Sequence, residues 1–535
     1  MNYVLKSLLM CLFLLKGLVS WADDCVVDGI YYELDADKKE ACVKPCGDGR
    51  YQGQVIIPSS IQVEGIDYTV TSIGEKAFDN CSKLYFITIP NSVTSIRKGA
   101  FSFCYGLTAV TIPASVTFLG EHAFEGCSNL TTVKLPEGLK SIGEWAFAHT
   151  PLTTITIPIS VESIGEWAFS GCGDMLSMKV KEGNTHYDSR KDCNAIIETS
   201  THTLIAGCLN TIIPNSVRVI GPNAFWGCRM TSLTIPEGVT MLDRAALSCC
   251  YNLQTITLPK SVTTIGEYAF SSCKSMTSIE LPEGITSIGN DAFMSCLSLS
   301  SIIIPKSVTS IDGMLFTGCR NLISINVREG NAHYDSRDNC NAIIETATNK
   351  LIASCKNTMM IPKSVRVVGN AAFNQCVDKT SITIPEGVTQ IEDYAFNDCQ
   401  GLRSVIIPDG VTTIGDAAFR GCRNLTSVNI PNSVAHIGES AFDCCVSLPS
   451  ITLPKSLTTI GESVLCNCDN LKEVHCQGTT PPNLVVNDSE NSVKLITMRL
   501  EQPQQTVKAI LYVPKGTKDA YRSAEYWKTF EIVEE

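Results

Sequence analysis

The chain has 535 residues, 44% of them hydrophobic and only 18% charged, with a formal net charge of −12. Its 42 Lys and Arg stand against 54 Asp and Glu and form no basic stripe. Nucleic acid and anionic membrane surfaces, both bound through clustered cations, are thereby excluded as expected partners.

The N-terminus reads as a secretory signal over residues 1–22. Lys6 supplies the positive start, Ser7 to Leu15 the short apolar run, and Ser20-Trp21-Ala22 the small residues before cleavage at Asp23. Lys16 interrupts the run, which is too short to span a bilayer. A lipid anchor is disfavoured because Asp24 precedes Cys25 and Met10 precedes Cys11, and neither is small. The reading is an exported chain, secreted, periplasmic or on the cell surface, with no transmembrane segment once the signal is removed. Residues 23–70 alternate as strands do, as in Gly29 to Leu34 and Val55 to Ile57, without the repeat that follows. They are predicted to form an N-terminal β cap.

Residues 71–476 repeat every 23 residues. Proline recurs at 90, 113, 136 and 158, at 236, 259, 282 and 305, and at 385, 408, 431 and 454. An aromatic residue or leucine follows eleven residues later, as at Phe101, Phe124 and Leu247. This position recurs in fifteen units, and a cysteine stands three residues beyond it in fourteen of them, Thr150 being the exception. Within one unit Leu-x-x-Ile-x-Ile alternates as a half-buried strand. Proline, which lacks an N–H, ends it. A second stretch, Val-Thr-Ser-Ile, leads to Gly and then to Ala-Phe-x-x-Cys, read as one helical turn with three inward side chains. A unit this small buries nothing alone and must stack on its neighbours at about 4.8 Å per coil. The predicted fold is a leucine-rich repeat solenoid of stacked 23-residue coils, β-strand-rich with short helical turns and capped at both ends.

Two near-copies of one insert interrupt the series, at residues 182–211 and 329–358, identical at 22 of 30 positions. Each carries His-Tyr-Asp-Ser-Arg (His186 to Arg190, His333 to Arg337) and then two β-prone arms, read as a hairpin. With a two-residue turn at Ser200-Thr201, Cys193 falls opposite Cys208, and Cys340 likewise opposite Cys355, making both pairs candidate disulfides. Residues 477–535 comprise an irregular polar segment and a C-terminal cap built from Ile510 to Pro514 and a short helix around Ala520 to Trp527.

The recurring Ile-x-Ile-Pro-x-Ser-Val-Thr-x-Ile-Gly-x-x-Ala-Phe-x-x-Cys, as at Ile256 to Cys273, resembles the BspA-like leucine-rich repeat surface proteins. The likeness covers about residues 55–476. It implies a secreted or surface location, binding of extracellular-matrix proteins, host cells or other bacteria, and no catalytic residues. The chain departs from the common leucine-rich pattern where that pattern has Asn. Ser115, Gly138 and Gly238 stand there, so no asparagine ladder is expected.

No Walker loop, His-Glu-x-x-His, Gly-x-Ser-x-Gly or paired metal-spaced Cys-x-x-Cys appears, and no cofactor, metal ligand or catalytic residue is assigned. His186, Tyr187, Asp188 and Arg190, with His333, Tyr334, Asp335 and Arg337, include the residue types of a hydrolytic triad. Neighbours in one loop rarely converge, and Asp and Ser bonding the local backbone is the simpler reading. Calcium at Asp188, Asp192 and Asn194 is disfavoured, since Asn339 replaces Asp192 in the second copy and the spacing fits no calcium loop. Trp145 and Trp167 read as side chains covering the turn or as an aromatic strip for contact. The outward strand residues taken as the candidate face are Thr88, Thr111, Lys134, Thr156, Thr234, Thr257, Glu280, Thr383 and Thr452, an array rich in threonine that Lys134, Lys179, Glu280 and Ile303 break. This row is either a solubilised sheet face or a binding face for extracellular proteins or glycans of a host or of other bacteria. Three functions remain open: an adhesin-like scaffold, a passive spacer, and a hydrolase at the inserts.

Overall fold

A computed structural model describes residues 23–485, apart from 47–49 and 359, and residues 509–535, apart from 525. The signal reading at 1–22 and most of the irregular segment lie outside the described residues. The fold is a β-solenoid of about nineteen turns of about 23 residues with almost no helix. Its described residues divide into two compact units, those up to 214 with 223–228, and 215–222 with those from 229 onward.

The first unit opens with β1 (Asp23–Val27), β2 (Ile30–Asp35) and β3 (Glu40–Val43), antiparallel in sequence. Next come β4 (Gly53–Ile56), β5 (Ser60–Val63), β6 (Ile66–Ile73) and β7 (Leu84–Thr88). β6 pairs with β3 and then parallel to Ser95–Ile96, the first of a row of two-residue strands that continues at Phe118–Leu119, Ser141–Ile142 and Ser163–Ile164. In the second unit an equivalent row runs from Val219–Ile220 to Ser310–Ile311, and another from Val367–Val368 to Thr459–Gly461. The longest ladders thus form on the Val-Thr-Ser-Ile side of the coil. The Leu-x-x-Ile-x-Ile strands pair parallel in short groups, such as Ala109–Thr111 with Thr132–Lys134.

The core consists of columns, because equivalent residues of successive coils must stack. Phe78, Phe101, Phe124, Phe147 and Phe169 form a continuous stack with ring centroids 5.0, 5.1, 5.5 and 5.9 Å apart. Phe373, Phe396, Phe419 and Phe442 do the same in the second unit.

The predicted helical turn at Ala-Phe-x-x-Cys is a different structure. Alternate N–H groups bond within the coil, Ala77 to Gly74 O and Asp79 to Lys76 O. The others reach the next coil, Lys76 to Lys98 O at 2.9 Å, Phe78 to Ala100 O at 2.8 Å and Asn80 to Ser102 O at 2.8 Å. Turning alternate amides outward requires left-handed residues at both ends of the turn, here Lys76 (φ 54°) and Asn80 (φ 56°). A helix would direct every N–H along its own axis and leave the coils unjoined on this side. The inter-coil bonds outweigh the cost of a left-handed residue, of the order of 1–2 kcal/mol.

The column cysteines belong to the same network. The Cys104 thiol donates to Phe78 O at 3.0 Å, Cys127 to Phe101 O at 3.1 Å, and Cys296 to Phe270 O at 3.2 Å. Cys399, Cys422, Cys445 and Cys468 repeat the contact. They are small buried groups, as expected, and also S–H donors that tie each coil to the one before.

Side-chain ladders complete the coil. At the position where Asn was missing, Ser160 donates to Leu139 O, Ser261 to Val239 O and Ser307 to Ile285 O, each within 2.7 Å. Asparagine does form a column elsewhere, two residues after the cysteine. Asn129, Asn321 and Asn424 donate to Tyr105 O, Leu297 O and Gln400 O. The expected absence of an asparagine ladder therefore holds only for the consensus position.

Candidate functional site

Every residue of the predicted outward row is exposed: Thr88, Thr111, Lys134, Thr156, Thr234, Thr257, Glu280, Thr383 and Thr452. The strand register sets their neighbours. Thr111 lies beside Lys134, Thr156 beside Lys179, Thr234 beside Thr257, Thr383 beside Ile406 and Thr452 beside His475. Glu280 departs from the expectation of a strand residue. Pairing there shrinks to a single bridge between Ser278 and Ser301, and Glu280 lies outside any strand.

The hydroxyls of this row differ from those of a second threonine column. Thr117, Thr263, Thr286, Thr309 and Thr412 donate to the carbonyl of the previous coil and so belong to the framework. Among the described residues no hydrogen bond holds the hydroxyls of Thr88, Thr111, Thr156, Thr234, Thr257, Thr383 or Thr452.

Both inserts are three-stranded, as with Tyr187–Asp188, Ala195–Glu198 and Thr203–Gly207 in the first. They are coils of the solenoid rather than appended hairpins, because Ala195, Ile196, Ile197 and Leu204 are fully buried. Gly207 donates to Ala224 O, the contact a phenylalanine makes in a regular coil. A Cβ on Gly207 would lie 2.1 Å from the Phe225 ring, so glycine gives that ring the space left by the missing aromatic.

The His-Tyr-Asp-Ser-Arg motif works for the fold in both copies. The Tyr187 and Tyr334 hydroxyls accept the N–H of Ile164 at 3.0 Å and of Ile311 at 2.9 Å. Ser189 accepts from Val180 N–H and donates to Ala195 O, and Ser336 does the same with Val327 and Ala342. Arg190 Nε donates to Asp188 at 2.8 Å, and Arg337 Nε to Asp335 at 2.8 Å. Arg337 also reaches Asn349 and Ser364. His186 and His333 are exposed and lie against the neighbouring tyrosine rings. Each serine is thus bonded to backbone and each aspartate to arginine, and no nucleophile–base pair assembles in the motif.

The candidate disulfides are corrected by the register. Glu198 faces Thr203 and Ile197 faces Leu204, as a two-residue offset predicts, but a bulge between Ile196 and Ile197 shifts Ala195 onto Gly207. Cys193 and Cys208 are therefore no longer opposite, and the same bulge separates Cys340 from Cys355. All four are free thiols. Cys208 donates to Asn194 O at 3.1 Å and Cys355 to Asn341 O at 3.3 Å. Burial raises the Cys340 thiol to about 11.

The aromatic residues at the turn form a cluster that the sequence reading had only in part. Trp145 and Trp167 stack at 4.7 Å, with His122 on the outer side of Trp145. Trp226, from the coil after the first insert, meets Trp167 edge-on at 5.8 Å and His149 at 5.3 Å. Its position directly after Phe225 was the available signal. Because the ring faces are turned toward one another, the cluster staples coils together and offers little flat surface.

The family model of the BspA type leucine rich repeat region matches residues 59–175, 200–323 and 348–472, in six copies. The chain belongs to the BspA-type leucine-rich repeat family. A leucine-rich repeat protein from Bacteroides ovatus is 24% identical over 96% of this chain and 100% of its own, with a TM-score of 0.35. A leucine-rich cell surface protein from Faecalibacterium prausnitzii is 22% identical over 88% and 96%, with a TM-score of 0.38. The pneumococcal vaccine antigen PcpA is 17% identical over 97% and 100%, with a TM-score of 0.31. No curated protein matches. Among the described residues of this BspA-type chain, no helix is long and apolar enough to cross a membrane, and no group of acidic, His and Cys side chains is placed to hold a metal.

Proposed function

We propose that this BspA-type protein is an exported, non-catalytic binding scaffold, adhesin-like, that recognises host or bacterial proteins or glycans through its strand face. The observation carrying this reading is the contrast between the two threonine columns. One is bonded into the framework, while the other presents unengaged hydroxyls on rigid backbone beside Lys134, Lys179, Ile406 and His475. Repeated, individually weak contacts on such a face combine by avidity. The insert motifs support the non-catalytic reading, since their serine and aspartate are held by backbone and arginine. The test is a glycan array with a panel of matrix proteins, applied to the whole chain and to a Thr111→Glu, Thr156→Glu, Thr257→Glu variant. Saturable binding lost in the variant at unchanged melting temperature is the expected result. Absence of saturable binding to either panel returns the protein to a spacer role.

A further inference from the structure

The strand face of the first unit carries charge of one sign only. Its strands β7, Ala109–Thr111, Thr132–Lys134, Thr154–Ile157 and Ser177–Val180 contain no Asp or Glu, in a chain of net charge −12. They contain two lysines, Lys134 and Lys179, and both are exposed. Other lysines of the unit are neutralised: Lys98 pairs with Glu121, Lys140 with Glu162 and Lys181 with Glu137. Among the described residues Lys134 and Lys179 enter no ion pair or hydrogen bond.

The register fixes where these cations stand. Lys134 lies beside Thr111 and Lys179 beside Thr156, and the coil of Thr156 separates the two lysines. They are therefore two coils apart, about 9.6 Å at the usual strand spacing of about 4.8 Å. Side chains two residues apart share a face, so Thr132 and Thr154 stand on the same side as Lys134 and Thr156, and both are exposed. None of these four threonine hydroxyls is bonded into the framework among the described residues.

We propose that this face binds a linear acidic glycan with a carboxylate on every second sugar, lying along the stack of coils. The proposal rests on the strand-face reading above and names its ligand class. Charge complementarity selects an anion, because two unpaired cations stand on a face without a carboxylate. Their pitch selects its charge density. A β-linked pyranose chain advances by close to one coil spacing per sugar, so uronates on alternate sugars recur at the lysine spacing. The sugar hydroxyls between them meet those of Thr111, Thr132, Thr154 and Thr156. Duplex nucleic acid, with a charge about every 1.7 Å, is far denser than two cations can neutralise. A protein partner fits less well. From Thr108 to Lys179 the outward strand positions hold one large apolar residue, Leu176, whereas protein interfaces draw their energy from aromatic and Arg anchors and are depleted in Lys.

The probe is an oligosaccharide of alternating β-linked glucuronate and N-acetylglucosamine, long enough to cross the face, titrated into the whole chain. The comparison is the same oligosaccharide with its carboxylates reduced to alcohols. Saturable binding that weakens with added salt and falls at least tenfold on carboxyl reduction is expected. Lys134→Gln with Lys179→Gln should lose at least tenfold at unchanged melting temperature, while Lys140→Gln, in the Val-Thr-Ser-Ile stretch of its coil, leaves binding unchanged. Lys134→Thr with Thr156→Lys keeps the charge but alters the pitch, and should lose at least fivefold. Equal binding of the reduced oligosaccharide, or full binding by either double variant, overturns the proposal. Saturable binding of a neutral glycan or a matrix protein, with none of the acidic probe, overturns it and leaves the scaffold reading standing. Saturable binding of no probe overturns both.

Discussion

Phe293→Ala tests the column architecture most directly. Phe293 is fully buried, stacked on Phe270 at 5.4 Å and on Phe316 at 5.9 Å. Transfer of the ring to the core accounts for about 1.5–3 kcal/mol, and a cavity that cannot collapse brings large-to-small aromatic changes to about 3–5 kcal/mol. Collapse is opposed here by the ladders on both sides. Phe270 N–H holds Ala292 O at 2.8 Å, Phe293 N–H holds Leu315 O at 3.3 Å, and the Cys296 thiol holds Phe270 O. With the coil spacing fixed, the flanking rings cannot close the gap, so the loss should be about 4 kcal/mol. The contrast is Gly207, where the coil carries no aromatic and the Phe225 ring occupies the space. The assay is urea unfolding of the whole chain with amide exchange followed at Phe270 and Phe293, since coils of a solenoid open locally. A loss below about 1 kcal/mol with unchanged exchange at those amides would refute the inward assignment of the phenylalanine column.

Other outcomes follow from the same bonds. Cys104→Ala should cost about 1 kcal/mol, at the low end for a lost hydrogen bond, because Phe78 O keeps the N–H of Cys81; a cost above about 3 kcal/mol in urea unfolding would mean the thiol does more. Tyr334→Phe should cost about 1–2 kcal/mol by stranding the N–H of buried Ile311, and Tyr187→Phe less, because Ile164 is only half-buried; equal or reversed losses contradict this reading. Burial raises the Cys127, Cys422 and Cys468 thiols from about 9 to about 12, so the folded chain keeps protons that the unfolded chain releases. Their stabilising contribution is complete below pH 9 and falls by about 1.4 kcal/mol per pH unit per thiol as pH rises toward 12. Melting temperature should therefore drop steeply above pH 9; a flat profile to pH 11 would contradict the buried column.

The period of 23 residues, with its alternating aliphatics and recurring phenylalanine-or-leucine position, determined by itself that the chain coils and stacks, and which side chains face inward. That inference holds because inward positions are fixed by local alternation and by the inability of one unit to bury its own apolar face. The outward threonine row was legible for the same reason. Four features depended on the neighbouring coil. The Ala-Phe-x-x-Cys segment carries a helix-like spacing, yet its amides bond to the next coil, which selects left-handed residues such as Trp145 and Trp167 over a helical turn. The framework serines and the displaced asparagine column are hydroxyls and amides whose acceptors lie one coil away, invisible within a single unit. The insert cysteines appeared opposite until a one-residue bulge, set by how the arms pack into the core, moved them out of register. Among the described residues β4 pairs with β7 alone, and such pairing is a contact between distant segments that no local pattern encodes. Local periodicity thus set each residue's side of the coil, and inter-coil hydrogen bonding decided what that side does.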